Sequence, residues 1–114
     1  RRTRGPGHDW VIVKLGATCK DIERIEVDTA HFKGNYPDSC SIEANYLEES
    51  HGAAVALGWQ EIVPKTKLEA HKQHYFEGKQ LTEQARNTKI NYVRLNIYPD
   101  GGVSRFRVWC KVNE

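Results

Sequence analysis

The segment from Asp28 to Asp38 concentrates residue types that can transfer a proton and hold a polar ligand. His31 lies close behind Asp28 in this segment. Imidazole titrates near neutral pH and a neighbouring carboxylate tunes it, so the pair suits general acid–base chemistry. Lys33 and Asn35 follow and offer a cation and an amide to a small polar ligand. This segment is therefore the first candidate site.

The same residues also have a plainer structural interpretation. On residue type alone, His31 beside Phe32 is more simply a loop residue that hydrogen-bonds the backbone. Residues 33–35 are equally well a turn in which glycine and asparagine supply left-handed conformations. Asp38 after Pro37 is more simply a turn acceptor than a catalyst. Residue types therefore leave both interpretations open.

A second group of candidates lies near the end of the sequence. Arg94, Arg105 and Arg107 fall on the outward positions of two alternating runs, Tyr92 to Tyr98 and Val103 to Val112. A forked guanidinium suits a carboxylate ligand better than an ammonium group does. The simpler interpretation is a solvated sheet face whose charges discourage edge pairing.

The histidines and carboxylates show no diagnostic metal-ligand spacing. His71 and His74 lie three positions apart in a strand-like stretch and are predicted to point to opposite faces. No cofactor is therefore predicted, and manganese near Asp28 and His31 is kept as the alternative. Lys67 is a further candidate for holding a ligand.

The elements that must position these side chains are predicted to be short strands. Trp10 to Leu15 is an apolar run rich in β-branched residues, too short for a helix and typical of a buried strand. From Ile25, apolar and polar residues alternate with the period of a half-buried strand that ends at Asp28. Further strands are predicted at Ser39 to Asn45, at Trp59 to Val63 before Pro64, and more weakly at His74 to Phe76.

The two runs near the C-terminus are joined by Pro99-Asp100-Gly101-Gly102, a strong turn sequence, and are predicted to pair as a β-hairpin. Its apolar residues should pack inward: Val93, Leu95 and Ile97 against Phe106, Val108 and Cys110. Glu48 to Gly58 is predicted to be a loop, with one marginal helical turn as the alternative. Glu77 to Lys89 is predicted to be a flexible connection, with a short surface helix as the alternative. Several short strands with turns between them predict an all-β fold, an antiparallel β-sandwich or jelly roll.

Length and composition narrow the class of protein further. At 114 residues, the chain is predicted to form one domain. Its 17 lysine and arginine residues against 15 aspartate and glutamate residues give a net charge of +2, too small to attract nucleic acid or anionic lipid. The apolar runs fall short of the roughly 20 residues that span a membrane. We therefore expect a soluble domain with neither nucleic-acid nor membrane partners.

The three cysteines, Cys19, Cys40 and Cys110, are odd in number and widely spaced. Their spacing matches neither a disulfide framework nor a zinc knuckle, which favours a reducing, intracellular setting. The chain contains no methionine, so we expect it to be one domain of a longer protein. A cytoplasmic location is predicted, or a peroxisomal one if a signal lies outside this chain.

Four blocks of the sequence are similar to signatures of the allantoicase family. The two long and specific blocks are VDTAHFKGNYPDSC, from Val27 to Cys40, and VRLNIYPDGGVSR, from Val93 to Arg105. Two weaker blocks run from His8 to Gly16 and from Val63 to Leu68. Together they span most of the chain, which resembles one allantoicase repeat and is most similar to the second, C-terminal repeat.

The resemblance implies a galactose-binding-domain-like jelly roll and hydrolysis of allantoate to ureidoglycolate and urea. It also implies that residues 1–114 are one of two repeats in a protein that assembles as a homo-oligomer. His31 and Asp28 are then predicted to be catalytic. The predicted substrate-binding residues are Lys33, Asn35, Lys67, Arg94 and Arg105.

Two other functions fit the same fold. Jelly rolls of this type also bind small ligands or carbohydrates without transforming them. A repeat can also serve mainly to support assembly while its partner repeat carries out the reaction. Fold alone does not decide among these functions.

Overall fold

The structure, a computed structural model, describes residues 8–48, 57–86 and 88–112. Six strands form within these ranges: β1 (Asp9–Asp28), β2 (Ser39–Asn45), β3 (Gln60–Lys67), β4 (Gln73–Glu77), β5 (Ile90–Tyr98) and β6 (Arg105–Val112). Two short 3-10 turns cover Gly78–Gln80 and Glu83–Ala85, and the described residues contain no α-helix. The predicted all-β class is confirmed.

All strand pairs are antiparallel, and the sheet order is β3-β2-β5-β1-β4, with β6 also pairing with β1. The first part of β1, Asp9 to Lys14, pairs with β5. The last part, Arg24 to Asp28, lies between β4 and β6. The sheet therefore curls into two layers that share β1, which is the predicted sandwich.

Register shifts explain how one strand serves both layers. The pairing of β1 shifts between Lys14 and Cys19, and again between Cys19 and Arg24. Such irregularities bend a strand and increase its twist. The sequence predicts two separate strands here, whereas the structure has one strand of 20 residues. The bend carries Asp28, the last residue of β1, away from the layer in which the strand begins.

The core lies between the two layers and follows the predicted alternation. Ile25 and Val27 of β1 are fully buried, as are Ile42 of β2 and Val93 of β5. Burying a side chain of this size stabilises the fold by about 1.5–3 kcal/mol. Phe106 and Val108 of β6 pack against the same core. The predicted inward-facing residues are therefore confirmed.

The predicted hairpin between β5 and β6 is wrong. β5 pairs with β1 and β2, whereas β6 pairs with β1. The connection between β5 and β6 is held by the segment after β1 instead. Gly102 N–H donates to the Asn35 carbonyl at 2.7 Å, and Ser104 N–H donates to the Asp28 carbonyl at 2.8 Å. The chain therefore crosses from one layer to the other instead of turning back on itself.

One strand and one connection also differ from the sequence prediction. β3 continues through Pro64 to Lys67, which an edge strand tolerates because one side of it needs no ladder bonds. The stretch predicted as a flexible connection from Glu77 to Lys89 contains the two 3-10 turns and buries Leu81 and Ala85. Most of the predicted loop from Glu48 to Gly58 lies outside the described residues.

The absence of a disulfide framework was also a wrong prediction, because Cys19 and Cys110 form a disulfide. These cysteines are 91 residues apart in sequence, but the pairing of β1 with β6 brings their Cα atoms to 5.9 Å, a usual separation for a disulfide. Cys40 is free and buried. Burial raises the pKa of the Cys40 thiol to about 12.

This arrangement predicts the pattern of thiol alkylation. Since the thiolate is the reactive form, iodoacetamide should label no cysteine in the folded chain at neutral pH. Labelling in denaturant should add one group, at Cys40, and labelling in denaturant after reduction should add three. Mass spectrometry measures the count directly. Three groups without reduction would contradict the disulfide.

The connection at Gly102 predicts a specific loss of stability. A Cβ atom at Gly102 would overlap the ring of Phe32. Gly102→Ala should therefore lower the free energy of unfolding by about 1–3 kcal/mol, as overpacking does. The matched control is Gly34→Ala in the facing segment, because a Cβ there meets nothing within 4 Å. Urea unfolding measures both variants, and equal losses would refute the contact.

Candidate active site

A cavity of about 390 Å³ opens at the end of β1. Its lining residues are Asp28, Ala30, His31, His71, Lys72, Gln73, Ser104 and Arg105. Strand register explains part of this set, because Asp28 pairs with Gln73 on one side and with Arg105 on the other. Side chains on paired positions of neighbouring strands share one face of a sheet. The volume is within the range of small-ligand pockets.

Two turns supply the histidines of the cavity. Buried Thr29 joins the turns: its hydroxyl donates to the Glu69 carbonyl at 2.6 Å, and Lys72 N–H donates to that hydroxyl at 3.1 Å. His31 and His71 have φ angles of 73° and 48°, in the left-handed region. Backbone strain of this kind concentrates at functional sites.

The two histidines are in direct contact. The backbone N–H of His31 donates to Nδ1 of His71 at 2.7 Å. His71 Nδ1 must therefore carry the lone pair, and the neutral ring keeps its hydrogen on Nε2 as a donor. The ring centroids lie 5.7 Å apart. The His31 ring has no hydrogen-bond partner among the described residues, which leaves both of its nitrogens for a ligand.

The remaining polar groups of the cavity divide into donors and acceptors. Asp28 is buried, and its Oδ1 accepts the Ala30 N–H at 2.8 Å. Arg105 is exposed and forms no ion pair with any residue in the described ranges. Lys72 is engaged by Glu69 at 3.0 Å. Arg105 is therefore the cation of this cavity that is available to an anionic ligand.

The structure brings together three of the seven residues predicted for the site, namely Asp28, His31 and Arg105. Asn35 lies in a neighbouring cleft with Asp38 and the Pro99 turn. Lys33 and Lys67 are exposed, and Lys67 pairs with Ser39 at the end of β3.

Arg94 belongs to a different face of the molecule. It lies on the outward face of β5, where it bonds Glu43 at 2.8 Å and stacks over the Trp59 ring at 4.6 Å. The adjoining cavity, of about 430 Å³, also includes His8 and Asn96. The structure therefore does not place Arg94 with His31 and Arg105.

Five of the eight residues that line the cavity were not among the residues predicted for the site: Ala30, His71, Lys72, Gln73 and Ser104. His71 was assigned to a strand, but it lies in the turn before β4. His74 does belong to β4 and is engaged twice, by the Val27 carbonyl at 3.0 Å and by the Glu69 N–H at 2.9 Å. No sequence signal identifies His71, because its position depends on the contact between two turns.

Glu43 and Arg94 predict how stability depends on pH. Burial raises the pKa of the Glu43 carboxyl, but hydrogen bonds from Arg94 and Asn96 and the charge of Arg94 outweigh it, so the pKa is lowered. A lowered folded pKa stabilises the fold above the ordinary value of 4.5, and this stabilisation is lost as the pH falls through the folded value.

Glu43→Gln should therefore lower the free energy of unfolding at neutral pH by about 1–2 kcal/mol, because it removes charge-assisted bonds. The difference from the parent chain should shrink below pH 4.5. Urea unfolding at neutral and acid pH measures the trend. The exposed Glu61 supplies the control variant Glu61→Gln. A loss that is constant over pH would contradict the role of the charge.

The described ranges contain no group of three or more histidine, cysteine, aspartate or glutamate side chains arranged to hold a metal ion. They also contain no helix long and apolar enough to cross a membrane.

The curled sheet defines a β-sandwich domain with a polar cavity at the end of β1, the strand that both layers share. The chain belongs to the allantoicase repeat family, whose model matches residues 1–113.

Relatives and solved structures agree with this family. The chain is 51% identical over 114 residues to a probable allantoicase of Stutzerimonas stutzeri (strain A1501), covering 97% of this chain and 33% of the relative. It is 48% identical over 118 residues to one of Rhizobium meliloti (strain 1021), covering 98% and 34%. The crystal structure of allantoicase from Saccharomyces cerevisiae superposes with a TM-score of 0.73 at 38% identity, covering 96% of this chain and 30% of that one. The chain spans about a third of the length of these relatives.

Proposed function

We propose that the cavity at the end of β1 binds allantoate and that this chain takes part in its hydrolysis to ureidoglycolate and urea. The observation that carries the proposal is the convergence of His31, His71 and Arg105 on one cavity. The names of the relatives support the substrate, since they are called probable allantoicases. Activity and substrate of the whole protein are part of this proposal, because the chain covers a third of those relatives.

The donors and acceptors of the cavity complement allantoate. The substrate carries one carboxylate and two ureido groups on a single carbon. The guanidinium of Arg105, which has no ion-pair partner in the part of the chain that the structure describes, suits the carboxylate. The Nε2 hydrogen of His71 suits a ureido carbonyl, and the Asp28 carboxylate accepts a ureido N–H. Each type of group on the substrate therefore has a partner of the opposite hydrogen-bonding type.

His31 is proposed to transfer the proton that the reaction requires. In the hydrolysis, the bond between the central carbon and one ureido nitrogen breaks, and the hydroxyl of water bonds to that carbon. The departing nitrogen gains a proton and leaves as urea. The His31 ring takes a proton from the water or from the remaining ureido nitrogen and delivers one to the departing nitrogen. Asp28 shapes the turn that presents His31 through its bond to Ala30 N–H.

The test is urea release from allantoate by the purified chain, with calorimetric binding of allantoate measured alongside. Turnover with binding would support the enzyme. Binding without turnover would favour the second candidate, a ligand-binding repeat whose reaction is completed elsewhere in the longer protein. Neither binding nor turnover would contradict the proposal and favour a repeat that supports assembly. Turnover abolished by a chelator and restored by manganese would overturn the prediction of no cofactor.

The proposal extends to assembly and location. We expect the longer protein to contain a second repeat and to form a homo-oligomer, which light scattering on this chain and on a two-repeat protein would test. The Cys19–Cys110 disulfide removes the support that the cysteine spacing gave to a reducing setting. A cytoplasmic location stays a prediction, and imaging of the tagged whole protein would test it.

A further inference from the structure

A buried carboxylate, that of Glu26, contacts one of the residues that line the cavity. Glu26 is on the same outward face of β1 as Asp28, yet only 1% of its surface is exposed. Gln73 Nε2 donates to Glu26 Oε2 at 2.9 Å. Arg107 Nε lies 3.4 Å from Glu26 Oε1. Both carboxylate oxygens are therefore engaged by donors from the neighbouring strands.

This contact fixes the direction of the Gln73 amide. A carboxylate accepts hydrogen bonds and does not donate them, so Gln73 must turn its NH₂ group toward Glu26. The carbonyl oxygen on the other branch of the amide is then the atom left for the cavity, which Gln73 lines. The cavity therefore gains an acceptor at this position.

We propose that Glu26 is a positioning residue that holds the Gln73 amide so that the cavity selects ligands with an N–H donor at this position, as in a terminal ureido group. The inference rests on the proposed function, since it assumes that the cavity binds a ureido acid. It adds a discrimination between a ureido nitrogen and an acceptor of similar shape.

Arg107 determines what happens when Glu26 becomes an amide. Arginine has no acceptor, so in Glu26→Gln the new carbonyl should turn toward Arg107 and the new NH₂ group toward Gln73. Gln73 must then accept with its carbonyl and present its own NH₂ group to the cavity. The substitution is nearly isosteric, yet it should reverse the hydrogen-bonding polarity of the cavity at this position.

Two ligands that differ in hydrogen-bonding type at this position test the polarity of the cavity. N-carbamoylglycine carries a carboxylate and one ureido group, whereas N-methoxycarbonylglycine replaces the terminal NH₂ by a methoxy group that only accepts. The parent chain should bind the first about tenfold more tightly, the ratio that one hydrogen bond of roughly 1.4 kcal/mol gives. In Glu26→Gln the ratio of the two dissociation constants should fall to about one or invert. A preference caused only by the size of the methoxy group would persist in the variant.

Two further variants complete the experiment. Gln73→Ala truncates an exposed side chain and should also reduce the ratio of the two dissociation constants to about one. This variant tests the inference if Glu26→Gln fails to fold. Glu77→Gln removes another carboxylate of the same face, one that pairs with Arg24 at 2.8 Å, and should keep the tenfold ratio. An unchanged ratio in folded Glu26→Gln or in Gln73→Ala would overturn the inference. A parent chain that binds neither ligand nor allantoate would instead refute the proposed function, and the inference with it.

Discussion

Replacing His31 by asparagine is expected to reduce urea release from allantoate at least about a hundredfold, the contribution typical of a positioned acid–base group. Asparagine has no group that titrates near neutral pH. It also tolerates the left-handed backbone, so the φ of 73° at position 31 is kept without added strain. The free energy of unfolding should therefore stay within about 0.5 kcal/mol of the parent value. Initial rates and urea unfolding measure the two quantities.

Two comparisons isolate the imidazole. His31→Ala removes the ring but adds backbone strain of about 1 kcal/mol, so it should lose activity and stability together. His8→Asn removes a histidine whose ring stacks on Tyr98 at 5.0 Å and lines the cavity next to Arg94. This variant should leave the rate within about twofold of the parent rate. If His31→Asn turns over allantoate at the parent rate, His31 has no part in the proton transfer.

Local periodicity predicted much of the fold, because the alternation of apolar and polar residues within a strand shows which of its two faces is buried. Ile25 and Val27 alternate with polar residues, and the structure buries them. The pairing of strands depends instead on contacts between residues that are far apart in the sequence. The turn residues from Pro99 to Gly102 suggest a hairpin, but hydrogen bonds to Asn35 and Asp28 direct β6 to the other layer. The sequence therefore predicted which residues lie inside better than which strands are neighbours.

The candidate site shows the same limit. Asp28 and His31 are close in sequence and were predicted together, and they do line one cavity. Arg94 and Arg105 both lie on outward strand positions, so alternation alone cannot separate them. Their separation follows from β1 passing through both layers, which places β5 and β6 on different parts of that strand. The Cys19–Cys110 disulfide depends on the same long-range pairing.

Arg105 is expected to be the strongest single contributor to binding of the substrate. Arg105→Gln should weaken allantoate binding about a hundredfold, because it removes a charge-assisted pair with the substrate carboxylate, worth roughly 2–3 kcal/mol. Arg105→Lys keeps the charge but not the fork, so it should recover only part of the affinity. Calorimetric titration of the three chains measures the order.

Arg94→Gln is the matched control, since sequence alone predicts the same role for both arginines. Its guanidinium already bonds Glu43 at 2.8 Å and stacks over Trp59 at 4.6 Å, so its loss should lower stability and leave the dissociation constant within about twofold. Arg105 has no such partner among the described residues, so Arg105→Gln should weaken binding and leave the stability of the fold nearly unchanged. If Arg94→Gln weakens binding as much as Arg105→Gln does, allantoate binds on the outward face of β5 and not at the end of β1.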